Sequence, residues 1–402
     1  MNGLRVALFL AARSLARGSH GIAAATVLMM VLIYVSLLFL PSLIQGAVDR
    51  VDTALVQTVT SNIVITPASR GTSIGDAGAY LARIRRTAGV QAATAVYHVG
   101  IEVSHGTDTG SWSVDAIDPA SFGMVFTTPS HVIDGGPLTE RNTDQVLLGI
   151  GIAGSGETAV RGYRASLRDV YAGDQVTITF SGGRTAAFAV AGVYDDQFPQ
   201  ADNNAYITMY EADRLLPGIA GHATAIYVRT RPGADVNQVA RRLVALRSGV
   251  KYLTSADLSA TVADQVATFR LIAAILTVVS LLMAAVTIFT VTYVDLAHRH
   301  RQIGVERAIG IRSGPIVASY VLKALAYAAA GIVTGFLLFR FAAVPLVAAR
   351  PFSFPNGPVA LAVTRREMVR DLIVLAVVAG LAALVPALRS VRIPLLDAIW
   401  GE

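Results

Sequence analysis

Gly149-Ile150-Gly151-Ile152-Ala153-Gly154 forms a literal G-x-G-x-x-G directly after the apolar run QVLL, and Asp174 falls twenty residues past its last glycine. In a dinucleotide site such glycines let a pyrophosphate approach a helix N-terminus, and the distant acid holds a ribose hydroxyl. Here the acid follows Gly173 and opens a strand, whereas the fingerprint places it at a strand's end, and no run of parallel βαβ units is predicted after it. The segment reads as a flexible strand-to-helix turn, with a cofactor as the lesser alternative. His98, Glu102 and His105 invite a metal reading, but positions 98 and 105 of one strand face opposite ways. They are expected to be solvated polar positions. Asp195, Asp196, Asp202, Asn203 and Asn204 crowd one short stretch without the spacing of a calcium loop, which predicts a surface turn before the strand AYITM. The chain has no cysteine, no H-E-x-x-H, no G-x-S-x-G and no G-x-x-x-x-G-K-[ST]. No catalytic, cofactor-binding or metal-ligating residue is therefore expected in it, and it does not hydrolyse ATP by itself.

The most informative run is Asp295 to Pro315, DLAHRHRQIGVERAIGIRSGP. Arg299 to Ala308 is free of proline and rich in helix formers, Gly310 can supply a left-handed turn, and Ser313 with Pro315 can restart a helix. A short basic helix between two apolar segments is the prediction. One chemistry open to it is binding of anionic lipid.

What positions this helix is a membrane. Hydrophobic residues make up 53% of the 402 positions, charged residues only 15%, and mean hydropathy is +0.55. Four stretches, 22–44, 271–294, 316–339 and 372–388, approach or exceed the about 20 residues that a spanning helix needs. The first follows Arg13 and Arg17 as a signal peptide would, yet its apolar run is too long and ends in bulky residues, so it is expected to be a retained span. The net charge of +6 prompts a nucleic-acid reading, which the charge distribution opposes. Residues 45–265 hold 17 Lys+Arg against 21 Asp+Glu, while the remainder holds 16 against 6. The basic excess thus flanks the spans, and no nucleic-acid partner is expected.

Arginines 5, 13, 17, 299, 301, 307, 312, 389 and 392 fall on one side if the spans alternate, against 340, 350, 365, 366 and 370 on the other. The positive-inside rule puts the first group, and with it both termini, in the cytoplasm. Residues 45–265 are then outside. There the runs 62–66, 112–117, 145–148, 175–180, 187–193, 205–209 and 225–229 read as strands, and 77–86 and 236–247 as helices. Heptad-like spacing at 46–58 and 256–269 predicts that the first two spans continue outward as a stalk. Leu4, Leu8, Ala11 and Leu15 predict an interfacial helix. Lys323, in the first turns of the third span, is expected to snorkel to the interface. As the only ionisable group near the bilayer interior, it supports no ion pathway.

The run Arg301-Gln302-Ile303-Gly304-Val305-Glu306-Arg307-Ala308-Ile309-Gly310 resembles the R-x-E-I-G-x-x-R-A-x-G signature after the second span of MacB/FtsX/LolC-type ABC transporter permeases. Residues 385–399, with Pro386, Arg389, Arg392, Pro394 and Asp397, are similar to that family's terminal motif, and 146–153, 173–178, 188–193 and 205–216 resemble its extracytoplasmic domain. Gln302 and Lys323 depart from it, each standing where relatives usually or often carry Glu. The resemblance implies a membrane protein with four transmembrane α-helices and a large α+β extracytoplasmic domain inserted between helices 1 and 2. It divides the chain into a cytoplasmic amphipathic helix (1–20), a first span (21–44), the outer domain with stalk helices (45–268), a second span (269–296), a coupling-helix loop (297–315), a third span (316–340), an outer loop (341–370), a fourth span (371–388) and a cytoplasmic tail (389–402). It also implies the permease subunit of an ABC transporter in the cytoplasmic membrane. Its partners would be a separate ATPase that binds the ATP and Mg, a second permease copy or a paralogue, and membrane lipids. Arg299 and the run from Arg301 to Gly310 would form the ATPase-coupling helix, with Gly304 and Gly310 permitting close backbone approach. Export or extraction of a lipid, lipoprotein or peptide is the implied activity. The alternative is an FtsX-like mechanotransmitter that acts on a cell-wall hydrolase or sensor without transport.

Overall fold

The computed structural model describes residues 2–17, 20–68, 73–154, 166–354 and 357–391. Two compact units emerge, one of residues 1–47, 265–352 and 359–402, the other of 48–264 with 353–358.

Among the described residues, four helices are long and apolar enough to cross a membrane: they lie within His20–Thr60, Leu271–His298, Ser313–Ala349 and Arg365–Ser390. We call these the first to fourth spans. Small residues let them approach closely. A Cβ on Gly331 would lie 2.3 Å from that of Met30, and one on Gly335 would press on Tyr34, so third and first spans meet almost backbone to backbone there. Ala379 and Ala383 of the fourth span share a buried cluster with Ala324 and Ala328 of the third. The outward surface is apolar as well, with Leu271, Ile275, Val278, Leu282 and Val286 of the second span exposed, as a lipid or protein environment requires. The fourth span opens on a capping box in which Thr364 and Glu367 satisfy each other's backbone N–H groups.

An N-terminal helix, Asn2–Arg17, precedes the spans and packs on the third. Its buried face carries Ala7 and Ala11, while Leu8 and Phe9 are 52% and 60% exposed. Of the expected stripe of residues 4, 8, 11 and 15, Leu8 faces outward and Ala11 is buried. The side chains of Leu4 and Leu15 lie outside the described residues.

The second unit is α+β. Its strands are β1 (Ile63–Pro67), β2 (Val90–His105), β3 (Asp108–Ile117), β4 (Val132–Gly135), β5 (Gln145–Gly149), β6 (Gln175–Phe180), β7 (Thr185–Tyr194), β8 (Asn204–Thr208), β9 (Ala225–Thr230) and β10 (Val250–Thr254). They form one sheet in the order β10-β1-β9-β2-β3-β8-β5-β7-β4, with β6 bridging β2 and β7. Among the described residues only the β3–β8 and β5–β7 pairs are parallel. The 16-residue β2 ties two lobes together. Its first half pairs with β9 beneath the helices Ala77–Arg85 and Val236–Val244, around Ile63, Ile65, Ile84, Val228 and Leu243. Its second half pairs with β3 and β6 over a core of Val103, Leu148, Ile178, Phe180 and Phe188. Asp235 caps the second helix by accepting from the N–H groups of Asn237 and Gln238. All seven expected strands are present to within two or three residues, except that WSVDAI is only the end of β3. Strands β2, β4 and β10 were not expected.

The helix before β1 changes to π-helical winding at Leu55–Thr60, and Ser61 follows at φ +57°, ψ −162°. Ala54, Leu55, Phe198 and Ala201 bury one another there, together with Val51, Val59 and Leu258.

Candidate functional site

Among the motifs with chemical potential in the second unit, the structure turns each into scaffolding. The glycine-rich segment is a tight, buried turn and not a flexible one: a Cβ on Gly149 would lie 2.1 Å from the Asp202 carbonyl oxygen, and Ile150 to Ala153 are all buried. Asp174 accepts from the N–H of Tyr171 and tightens the turn before β6.

His98 is exposed, its side chain 40% accessible as expected, but it is also paired. It sits on β2 opposite Asp115 of β3, whose carboxylate only accepts, so His98 Nδ1–H donates to it and Nε2 takes the Tyr227 hydroxyl at 3.0 Å. Burial works against a charge on this imidazole, but the Asp115 hydrogen bond and charge outweigh it and raise its pKa. The acidic run is no surface turn. Asp202 is fully buried and accepts the backbone N–H groups of Asp196 and Phe198 at 2.8 and 2.9 Å. Asp196 accepts from Thr128 Oγ1 at 2.7 Å and from His131 Nδ1. Among the described residues no cluster of three or more His, Cys, Asp or Glu could hold a metal.

In the first unit the basic loop forms a helix, His300–Ala308, with Arg299 at its N-cap. Gly310 sits at φ +94°, and Ile311 N–H returns to the Glu306 carbonyl at 3.1 Å, closing the helix with a left-handed turn as Gly permits. The third span then starts at Ser313. Ile303 anchors this helix. It is buried with Leu296 of the second span, Ile316, Val317 and Tyr320 of the third, and Ala387 of the fourth. Since Ala387 follows Pro386, the two motifs, far apart in sequence, share one apolar cluster. Pro386 is buried inside the fourth-span helix and Arg389 is exposed in its last turn. Arg392, Pro394 and Asp397 lie outside the described residues, as does the side chain of Arg301.

Gly304, next to Ile303, is buried. The outward face consists of Gln302, Val305, Ala308 and Ile309. Val305 is 57% and Ile309 73% exposed. Two large apolar side chains four residues apart share one helix face. Their spacing was visible in the sequence, but only the burial of Ile303 reveals which face is free. Glu306 and Arg307 are half-buried, and burial pushes the Glu306 carboxyl up against the opposing pull of Arg299.

Behind the helix, Asp295 takes two cations: Lys323 Nζ at 2.8 Å and Arg299 Nε at 3.2 Å. Lys323 also donates to Ser14 Oγ at 3.1 Å. It is a buried, paired residue that joins the second and third spans to the N-terminal helix. The expectation that it snorkels is therefore wrong, because Asp295 lies one helix over and supplies its counter-charge.

Two family models match this chain. One, described as a MacB-like periplasmic core domain, covers residues 23–246, and the other, described as the FtsX-like permease C-terminal region, covers 274–395. An uncharacterized ABC transporter permease of Methanocaldococcus jannaschii is 23% identical over 266 residues, which is 63% of this chain and 63% of that relative's length. The periplasmic region of MacB from Actinobacillus actinomycetemcomitans is similar at 15% identity, over 52% of this chain and 95% of that one, with a TM-score of 0.37. The extracellular domain of the noncanonic ABC-type transporter YknZ from Gram-positive bacteria matches at 11% identity, over 48% and 98%, with a TM-score of 0.35. Because the first family model spans more than half of the chain and the second takes up the rest of the spans, this protein belongs to the MacB/FtsX-type ABC transporter permeases.

Proposed function

We propose that the chain is the membrane subunit through which a separate ATPase drives movement of the β-sheet domain at the outer face of the cytoplasmic membrane. In this reading the helix His300–Ala308 is the coupling helix and faces the cytoplasm, residues 45–265 lie outside, and two permease chains pair around a two-fold axis. The observation that carries it is the exposed pair Val305 and Ile309 on a helix that is itself fixed by Ile303 to three spans. An apolar pair on a rigid mount suits docking into a groove, and displacement of the mount would move the second, third and fourth spans together. Arg299 is held by Asp295, so its charge serves the mount more than the partner. ATP and Mg belong to the ATPase.

The β1–β10 sheet domain is large for a pure signalling appendage, which supports export or extraction of a hydrophobic or amphipathic substrate such as a lipid, lipoprotein or peptide. The described spans support no hydrophilic route between them, since Lys323 is consumed by Asp295 and Ser14. Substrate handling then belongs to the outer domain. Co-purification tests the docking claim: the ATPase encoded beside this chain should be retained by the wild type and lost from Ile309→Asp, while Arg340→Gln, on the opposite side of the spans, keeps it. Equal retention by all three would refute it.

A further inference from the structure

Between the N-terminal helix, the end of the second span, the loop helix and the start of the third span lies an open cleft of about 790 Å³. Its wall carries an excess of positive charge. Asp295 is one carboxylate shared by two cations, Lys323 and Arg299, and Arg13 adds a third cation at the rim. Glu306 is the other acid among the described lining residues, and its burial favours the neutral form. Hydroxyl side chains also line the cleft, among them Ser14, whose Oγ accepts from Lys323, and Tyr320, which is 9% exposed and makes no hydrogen bond to any described residue. An anion in the cleft would accept from such donors in charge-assisted hydrogen bonds. Leu10 and Ile22 supply an apolar side to the same cleft, and the exposed Leu8 and Phe9 give the adjoining helix a surface suited to the headgroup–acyl boundary.

We propose that this cleft binds a phosphate group, carried by an anionic membrane lipid whose acyl chains leave past Leu10 and Ile22. The phosphate meets Arg13, Tyr320 and Ser14, beside the uncompensated charge of the Lys323–Asp295–Arg299 cluster. Such a lipid would brace the N-terminal helix against the loop helix and so tune its mount. Gln302 and Val305 of the loop helix's outward face also line the cleft, so lipid binding is tested on the permease alone, without its ATPase.

Native mass spectrometry on the full chain, delipidated in a nonionic detergent and titrated with phosphatidylglycerol, tests the proposal. One phosphatidylglycerol should be retained per chain, at least about tenfold in preference to diacylglycerol with the same acyl chains. Tyr320→Phe and Arg13→Gln should each weaken retention about tenfold or more, as loss of one hydrogen bond to a charged group does, with wild-type thermal unfolding as the control for folding. Inorganic phosphate at millimolar concentration should leave the lipid in place. If it displaces the lipid, the phosphate chemistry is kept but its source becomes a soluble ion. Equal retention of phosphatidylglycerol and diacylglycerol, or undiminished retention in both variants, would overturn the site.

Discussion

Asp295→Asn should damage the membrane unit more than Lys323→Met, although the two substitutions break the same ion pair. Removing one partner of a buried pair costs about 3–5 kcal/mol when the survivor is left fully desolvated. Lys323→Met leaves Asp295 with Arg299 at 3.2 Å and a side chain still 21% exposed, so its cost should fall to about 1–2 kcal/mol. Asp295→Asn strands two cations, one of them on a side chain only 8% exposed whose remaining oxygen partner is Ser14, and should cost about 3 kcal/mol or more. The double variant that combines Asp295→Asn with Lys323→Met removes both charges of the buried pair and should recover much of that loss. Thermal unfolding of the purified chain in detergent, followed by size-exclusion chromatography, ranks the four proteins. Equal effects of the two single changes, or a double change that is simply additive, would refute the claim that Asp295 serves two cations.

Further outcomes follow from the second unit and from topology. Asp202→Ala removes the acceptor of two buried backbone N–H groups and should destabilise the sheet domain by about 2–4 kcal/mol, measured by chemical unfolding of the full chain. Gly149→Ala drives a Cβ into the Asp202 carbonyl and should cost at least about 1–3 kcal/mol in the same assay. The raised His98 pKa means that the folded state holds this proton more tightly than the unfolded chain does. Its stabilisation is therefore full below the unfolded value near 6.5 and lost as pH rises through the higher folded one. The sheet domain should melt lower at pH 8 than at pH 6, and His98→Gln should flatten that dependence. Cysteines placed singly at His298 and Thr107 should differ towards an impermeant thiol reagent in intact cells, with 107 labelled and 298 protected; the reverse pattern would invert the proposed orientation.

Much of the architecture was legible because apolar length and strand alternation act locally. Spans and the strands QVTITF and AFAVAGV announce themselves in a few residues, and Gly310 with Ser313 marks where one helix stops and the next starts. β2 was harder: its exposed and buried positions include His98, Gly100, Glu102 and His105, so no hydrophobic alternation runs its length, and its partners β3, β6 and β9 impose the strand. The polar clusters misled for the same reason. Whether an Asp is solvated, as expected for Asp202, or holds backbone N–H groups in a core depends on chain segments that sequence spacing does not bring together. In the loop helix the motif was legible, but the free face was not. The buried face is set by Ile303, which is anchored against Ala387, in a span much later in the chain.

The account turns on Val305 and Ile309 as the contact through which ATP hydrolysis reaches the membrane. In proteoliposomes that contain this chain and its ATPase, Val305→Asp with Ile309→Asp should lower the permease-dependent ATP turnover about tenfold or more, since each buried apolar anchor of an interface contributes roughly 1–2 kcal/mol. The thermal stability of the permease itself should stay at the wild-type level, because both side chains are exposed. Wild-type turnover in that double variant, at equal incorporation, would contradict the coupling assignment.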